Sequence, residues 1–219
     1  MKSTKTGLIF GVSAYVLWGL FPLYWPLLEP AGALEIVGHR AVWSLVFCVI
    51  ALTITKAIKP ALATMRRPKV FVKLLAATLL VSINWVVYIW ATNNGHVVEA
   101  SLGYYINPII MIAIGIILLK EKMRKLQWAS VSIAALGVLV LTIDYGRLPW
   151  VALALALSWG TYGFIKKQLG LGALEGLGIE TAIAAPFYLA YLAWIGSQGN
   201  GHFGVGPGLT LLLIGSGVV

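Results

Sequence analysis

Leu34-Glu35-Ile36-Val37-Gly38 and Leu174-Glu175-Gly176-Leu177-Gly178 are two copies of one Leu-Glu-x-x-Gly pattern, and each follows a Trp-Gly pair, Trp18-Gly19 and Trp159-Gly160. The Trp-Gly pairs are 141 residues apart and the pentapeptides 140, so the spacing is kept to within one residue. Both copies sit in long apolar runs. A helix needs about 20 mostly apolar residues to cross a bilayer core. Seven segments qualify, roughly 7–28, 34–55, 71–92, 97–119, 126–143, 149–165 and 175–195. The sixth is short, and its end is blurred by Gly163, Lys166 and Lys167. Five spans separate the copies, so the second enters the membrane from the opposite side, which predicts inverted repeats. The expected fold class is an all-α polytopic membrane bundle of two inverted five-helix repeats, residues 1–145 and 146–219.

Composition agrees with lipid as the solvent. The chain is 60% hydrophobic and 11% charged, with mean hydropathy +0.91, against about 25% charged residues in soluble domains. A pI of 9.7 raises the question of nucleic acid. However, 14 of the 16 Lys and Arg fall in terminal and loop clusters, and no basic face is interleaved with stacking aromatics. Retention of positive charge on the cytoplasmic side accounts for them, and no nucleic-acid partner is expected. Cys48 is the single cysteine, so no intrachain disulfide is available. The run from Gly7 to Leu28 is too long for a signal-peptide core and reads as a retained first helix.

The loops then set topology. Lys2 and Lys5 place the N-terminus in the cytoplasm. The basic groups Lys56 to Lys73, Lys120 to Lys125, and Lys166 with Lys167 follow the even-numbered spans. The loops near Glu29, Asn94 and Gly199 have no Lys or Arg, and the loop at Asp144 has only Arg147. The repeat also acts as a ruler. An eighth run starts near Gly208 and reaches Val219 after only 12 residues, so the spacing predicts a fragment of a ten-span protein. An open reading frame ending naturally at Val219 would refute that.

Arg40 is the remaining cation and lies within a span, where an Arg at mid-membrane costs about 2.5–3.5 kcal/mol. Two readings stand side by side: an Arg that snorkels to the headgroups or pairs with Glu99, and a residue that contacts an anion or couples transport. Glu99, Gly103 and Asn107 lie at i, i+4 and i+8, one face of a helix, beside Pro108. Glu99 suits either a helix start or a proton relay. Asn84, Tyr88 and Thr92 repeat every four residues, and Asn84, midway along its span, is expected to face the bundle. His39 is a weaker candidate, read as a hydrogen-bonded helix-end residue. Pro22, Pro26, Pro108 and Pro186 bend or break spans, as happens where transporters build cavities. Gly7-x-x-x-Gly11 and the Ser130, Ala134, Gly137 stripe read as internal packing faces, with a homodimer contact as the alternative.

Enzyme readings find little support: there is no His-Glu-x-x-His, no Gly-x-Ser-x-Gly and no pair of intramembrane aspartates. His39, His96 and His202 lack metal-ligand spacing, and neither a metal nor a cofactor is expected.

Glu35-Ile36-Val37-Gly38-His39-Arg40-Ala41-Val42-Trp43-Ser44, and Asn94 through Pro108 with its Glu99-Ala100-Ser101-Leu102-Gly103-Tyr104-Tyr105-Ile106-Asn107-Pro108, resemble the RarD subfamily of EamA transporters in the drug/metabolite transporter superfamily. The resemblance implies a bacterial inner-membrane protein of ten helices in two inverted halves, moving small molecules through a central cavity by alternating access. It also implies the association with chloramphenicol sensitivity for which that subfamily is named. The expected function is transport, in the direction of export, of a small organic metabolite or drug. The site residues expected are Trp18, Arg40, Asn84, Tyr88, Glu99, Tyr104, Asn107 and Trp159. The rival readings are a membrane sensor or scaffold that binds without translocating, and an intramembrane enzyme. The expected partners are a small-molecule substrate, the lipid bilayer and a second copy of the chain.

Overall fold

Local sequence sets where the helices begin and end. The computed structural model describes residues 2–144, 146 and 148–219, with side chains from Thr6 onward except that of Leu118. Arg147, the lone cation expected in its loop, therefore lies outside the described residues. Helix α1 (Lys2–Tyr24) carries Pro22 and tightens into a 3-10 turn, Trp25–Leu28, around Pro26. Helices α2 (Ala33–Ile54), α3 (Ile58–Met65), α4 (Pro68–Asn93), α5 (Val97–Leu119) and α6 (Lys125–Asp144) follow. They are succeeded by α7 (Trp150–Leu169), α8 (Ala173–Ser197) and α9 (Pro207–Gly215). Helices α2 and α8 start alike, after extended Gly32 and Gly172, and α4 and α9 both open on proline, whose missing N–H costs nothing there. Helix α7 stops at Gly170, whose φ of 61° suits a residue without a Cβ.

Among the described residues, six helical stretches are long and apolar enough to cross a membrane: Thr6–Leu28, Ala33–Ile54, Pro68–Asn93, Val97–Ile117, Lys125–Asp144 and Ala173–Ser197. Helix α7, expected as a seventh, is too polar on that measure. Its position explains why. It runs antiparallel along α4, with Trp150 beside Trp90 at one end (ring centroids 5.3 Å) and Gln168 accepting a hydrogen bond from Lys73 at the other (2.8 Å). It therefore covers the same depth as α4. Its buried face, which includes Val151, Ala152, Leu155, Ala156, Ser158 and Gly160, meets protein rather than lipid.

The contacts fix helix directions. A Cβ on Gly38, near the start of α2, would meet the Leu192 side chain near the end of α8. One on Gly178, near the start of α8, would meet Leu52 and Cys48 near the end of α2. Helices α2 and α8 are thus antiparallel. Helices α5 and α7 are parallel: Gly103 approaches Ala152 and Leu155, and Gly160 approaches Asn107 and Ile110. At Gly103 a Cβ would lie 2.9 Å from the Ala152 carbonyl oxygen, so only glycine allows this approach.

The loop after α2 holds an element the sequence reading did not foresee, α3. Its residue Ala61 packs in a cluster with Leu52, Leu74, Ile179 and Ile183. Two helices lie at the edge of the bundle and touch it through few residues, among them Trp18 of α1 and Val138 of α6. The apolar stretches of α1 and α6 bury no residue within the protein, and a Cβ at Gly7, Gly11 or Gly137 would meet nothing. Those small-residue stripes do not serve internal packing among the described residues.

Candidate functional site

Between α1, α2, α4, α5, α7 and α8 lies a cavity of about 300 Å3. Six of the residues expected from sequence line it together: Trp18, Arg40, Asn84, Tyr88, Tyr104 and Trp159. The aromatic members form a continuous wall. Trp18 packs edge-on against both Trp159 (5.2 Å between ring centroids) and Tyr104 (5.5 Å), and Tyr104 meets Tyr88 at 5.8 Å. Pairs of this geometry add about 0.5–1.5 kcal/mol each beyond burial. The two tryptophans of the repeated Trp-Gly pattern therefore touch.

Arg40 sits in a slot between indoles, its guanidinium carbon 4.5 Å from the Trp85 ring centre and 5.3 Å from that of Trp25. One Nη donates to the Ser216 carbonyl oxygen at 3.2 Å, and Nε is buried without a partner. An unsatisfied buried N–H costs about 1–3 kcal/mol. The pairing with Glu99 envisaged from sequence is not formed. Snorkelling to the headgroups does not describe Arg40 either, because the indoles hold its head in the cavity wall.

Asn84 faces inward as expected. It is 1% exposed and donates to Leu155 O (3.2 Å) and Ser158 Oγ (3.0 Å), tying α4 to α7. Glu99 and Asn107 do not line the cavity. Of the stripe, Gly103 and Asn107 form a seam against α7: Gly103 approaches Ala152 closely, and the Asn107 Oδ1 would lie 3.2 Å from a Cβ on Gly160. Tyr104, one residue on from Gly103 and so about 100° round the helix, is the α5 residue turned to the cavity. Glu99 is buried with Oε1 3.2 Å from His96 Nδ1. His39 stacks on Phe203 at 4.8 Å, and His202 binds Glu35 through its backbone N–H (2.7 Å) and ring Nδ1 (2.8 Å).

With this geometry in view, the comparisons with known proteins are direct. The sequence profile of the EamA-like transporter family matches residues 5–143, more than half the chain. The chain belongs to the EamA-like transporter family. Protein RarD of Streptomyces exfoliatus is 48% identical over 216 residues, covering 98% of this chain and 69% of the relative. The uncharacterized transporter YojE of Bacillus subtilis is 45% identical, covering 97% and 72%. Protein RarD of Escherichia coli is 38% identical over 219 residues, covering 100% and 74%. No solved structure matches. This EamA protein is a multi-pass membrane transporter of the drug/metabolite type, and its helices are held in a bilayer.

Two of the EamA chain's charged residues at the cavity escaped the sequence reading. Lys166 lines it, and its Nζ lies 2.8 Å from Glu180 Oε1, while Tyr162 donates to Glu180 Oε2 at 3.0 Å. Glu180 is 2% exposed. A signal for it existed: Glu180 is a carboxylate inside an apolar span, and it lies 140 residues after Arg40, the spacing of the Leu-Glu-x-x-Gly copies. Lys166 was read only as a marker of topology.

Proposed function

We propose that this protein is a secondary transporter of the bacterial inner membrane. It carries a small organic molecule outward by alternating access through the cavity between two inverted units, residues 1–145 and 146–219. The observation that carries the reading is the convergence of Trp18, Arg40, Asn84, Tyr88, Tyr104 and Trp159 on one cavity between helices of both units. The antiparallel α2 and α8, each bearing the Leu-Glu-x-x-Gly pattern, and the Trp18–Trp159 contact support the inverted arrangement. The cavity reaches from Trp25 and Arg40 toward Lys166 and Leu177. Lys73, Lys166 and Lys167 share one end of the bundle, which positive-inside sorting assigns to the cytoplasm together with the N-terminus. Asn84 holds the α4 wall, Arg40 contacts the substrate, and Glu99 with Asn107 acts from the α5–α7 seam by setting how closely these helices pack.

The test is uptake of a defined metabolite library into proteoliposomes, read by mass spectrometry, for the wild type and for Arg40→Ala and Glu99→Gln. The reading expects at least one compound to be carried saturably by the wild type and not by Arg40→Ala. Accumulation no greater than in empty liposomes for every compound would contradict transport, and unchanged uptake in both variants would remove the site assignment.

A further inference from the structure

The charges on the cavity wall are unequal in kind. Among the described residues, the charged side chains lining it are Arg40 and Lys166, both cations, and no carboxylate lines it. Glu180, which contacts the lining residues Lys166 and Tyr162, is already committed, one oxygen to Lys166 and the other to the Tyr162 hydroxyl. Lys166 and Glu180 therefore cancel. Arg40 has no carboxylate partner among the described residues, and its single hydrogen bond there goes to the neutral Ser216 carbonyl. The two indoles beside it satisfy the faces of the guanidinium but accept nothing from its in-plane N–H groups. The cavity thus carries one uncompensated positive charge, with donors in the plane that suits a carboxylate fork. The rest of the wall is mostly ring: Trp18, Tyr104, Trp159 and Tyr162 stack or meet edge-on in series.

We infer that the cavity selects a small organic anion with a flat aromatic body, its carboxylate received by Arg40 and its ring held by the tryptophan and tyrosine wall. The inference rests on the reading that this cavity receives the substrate, and deepens it by naming the substrate's charge and shape. A cation finds no free acid there, and a neutral amide gains the ring contacts but leaves the guanidinium unneutralised. Burying Arg40 without an acid is unfavourable in the empty protein, and a carboxylate ligand relieves that, so charge selectivity follows from the wall itself.

Binding tests this without requiring flux. The chain in lipid nanodiscs is titrated at pH 7 with para-nitrophenylacetic acid, para-nitrophenylacetamide and para-nitrophenethylamine. These share one ring and are respectively anionic, neutral and cationic. The nitro group quenches tryptophan emission, and Trp18, Trp25, Trp85 and Trp159 all line the cavity. The expected order is acid, then amide, then amine, with the acid tighter than the amide by about tenfold or more, the scale of one charged hydrogen-bonding contact. Arg40→Gln lowers the acid to the level of the amide, and saturable amide quenching through the ring wall shows that the variant is folded. Arg40→Lys, which keeps the charge without the fork, restores part of the gap. Should Arg40→Gln fail to fold, the wild-type order and Arg40→Lys decide. Amide or amine binding as tight as the acid, no saturable quenching by any of the three, or an undiminished acid preference in Arg40→Gln overturns the inference. Anion-selective binding supports it whether or not liposomes show flux, and unselective binding overturns it even where flux is found.

Discussion

Helices α2 and α8 carry the same Leu-Glu-x-x-Gly opening after the same kind of extended glycine, yet they present opposite charges to the centre of the molecule. In α2 the sixth residue after the leucine is Arg40, and in α8 it is Glu180. Glu180 is neutralised within the protein by Lys166 and Tyr162, whereas Arg40 has two indoles and one carbonyl. One scaffold thus holds a charge that is spent and a charge that is available. The leading acids differ as well: Glu35 clamps the loop at His202, and Glu175 accepts a hydrogen bond from Thr64 of α3 at 3.0 Å.

The comparison breaks most readily at Glu180. Glu180→Leu leaves Lys166 without its acid and is expected to cost toward the lower end of about 3–5 kcal/mol, since Lys166 keeps 19% exposure. Adding Lys166→Met should return most of it. Denaturant unfolding in micelles measures both, and a single variant as stable as the wild type would mean the pair is not structural. Arg40→Gln is expected to remove the preference for a carboxylate while costing no more than about 1 kcal/mol, because the lost cation–π contacts and hydrogen bond are offset by release of a buried guanidinium whose Nε has no partner. A loss as large as that of Glu180→Leu would show that Arg40 also holds the fold together. The packing between the two helices predicts less. Gly178→Ala brings a Cβ to 2.9 Å from Leu52 and should cost about 1 kcal/mol. Gly38→Ala, at 3.3 Å from Leu192, should cost less, and a reversed order of melting temperatures would contradict the contact geometry. The smallest effect is expected for Glu175→Gln, within about 0.5 kcal/mol, because Thr64 also bonds Pro60 O at 3.0 Å.

Much of this was legible in the sequence because lipid imposes simple rules. Span length and the 140-residue spacing lead to the long helices and to the opposite directions of α2 and α8; that the two pack together is seen only in the structure. Arg40 and Asn84 stood out because polar groups at membrane depth need an interior. What was not legible depended on helix rotation and on partners distant in sequence. The Glu99-Gly103-Asn107 stripe is a true helical face, but periodicity does not say which neighbour it meets, and the close approach at Gly103 turns it to α7. Lys166 looks like a loop cation in sequence because nothing local marks its reach to Glu180, across the loop after α7 and two turns into α8. Helix α3 is eight residues with Pro60 and Lys59 in its first turn, and it is held by a cluster formed with α4 and α8 rather than by its own pattern.

Whether the cavity opens alternately to both sides of the membrane is read by thiol accessibility. Cys48 is the chain's single cysteine, so a Cys48→Ser background is free of thiols. Into it go Tyr88→Cys or Trp159→Cys on the cavity wall, and Leu79→Cys on the lipid-facing side of α4, where the leucine is 62% exposed. A charged, membrane-impermeant maleimide is added from one side of oriented vesicles or the other. Alternating access gives labelling of both cavity positions from either side and none at position 79. Labelling of the cavity positions from one side alone, or from neither, would contradict it.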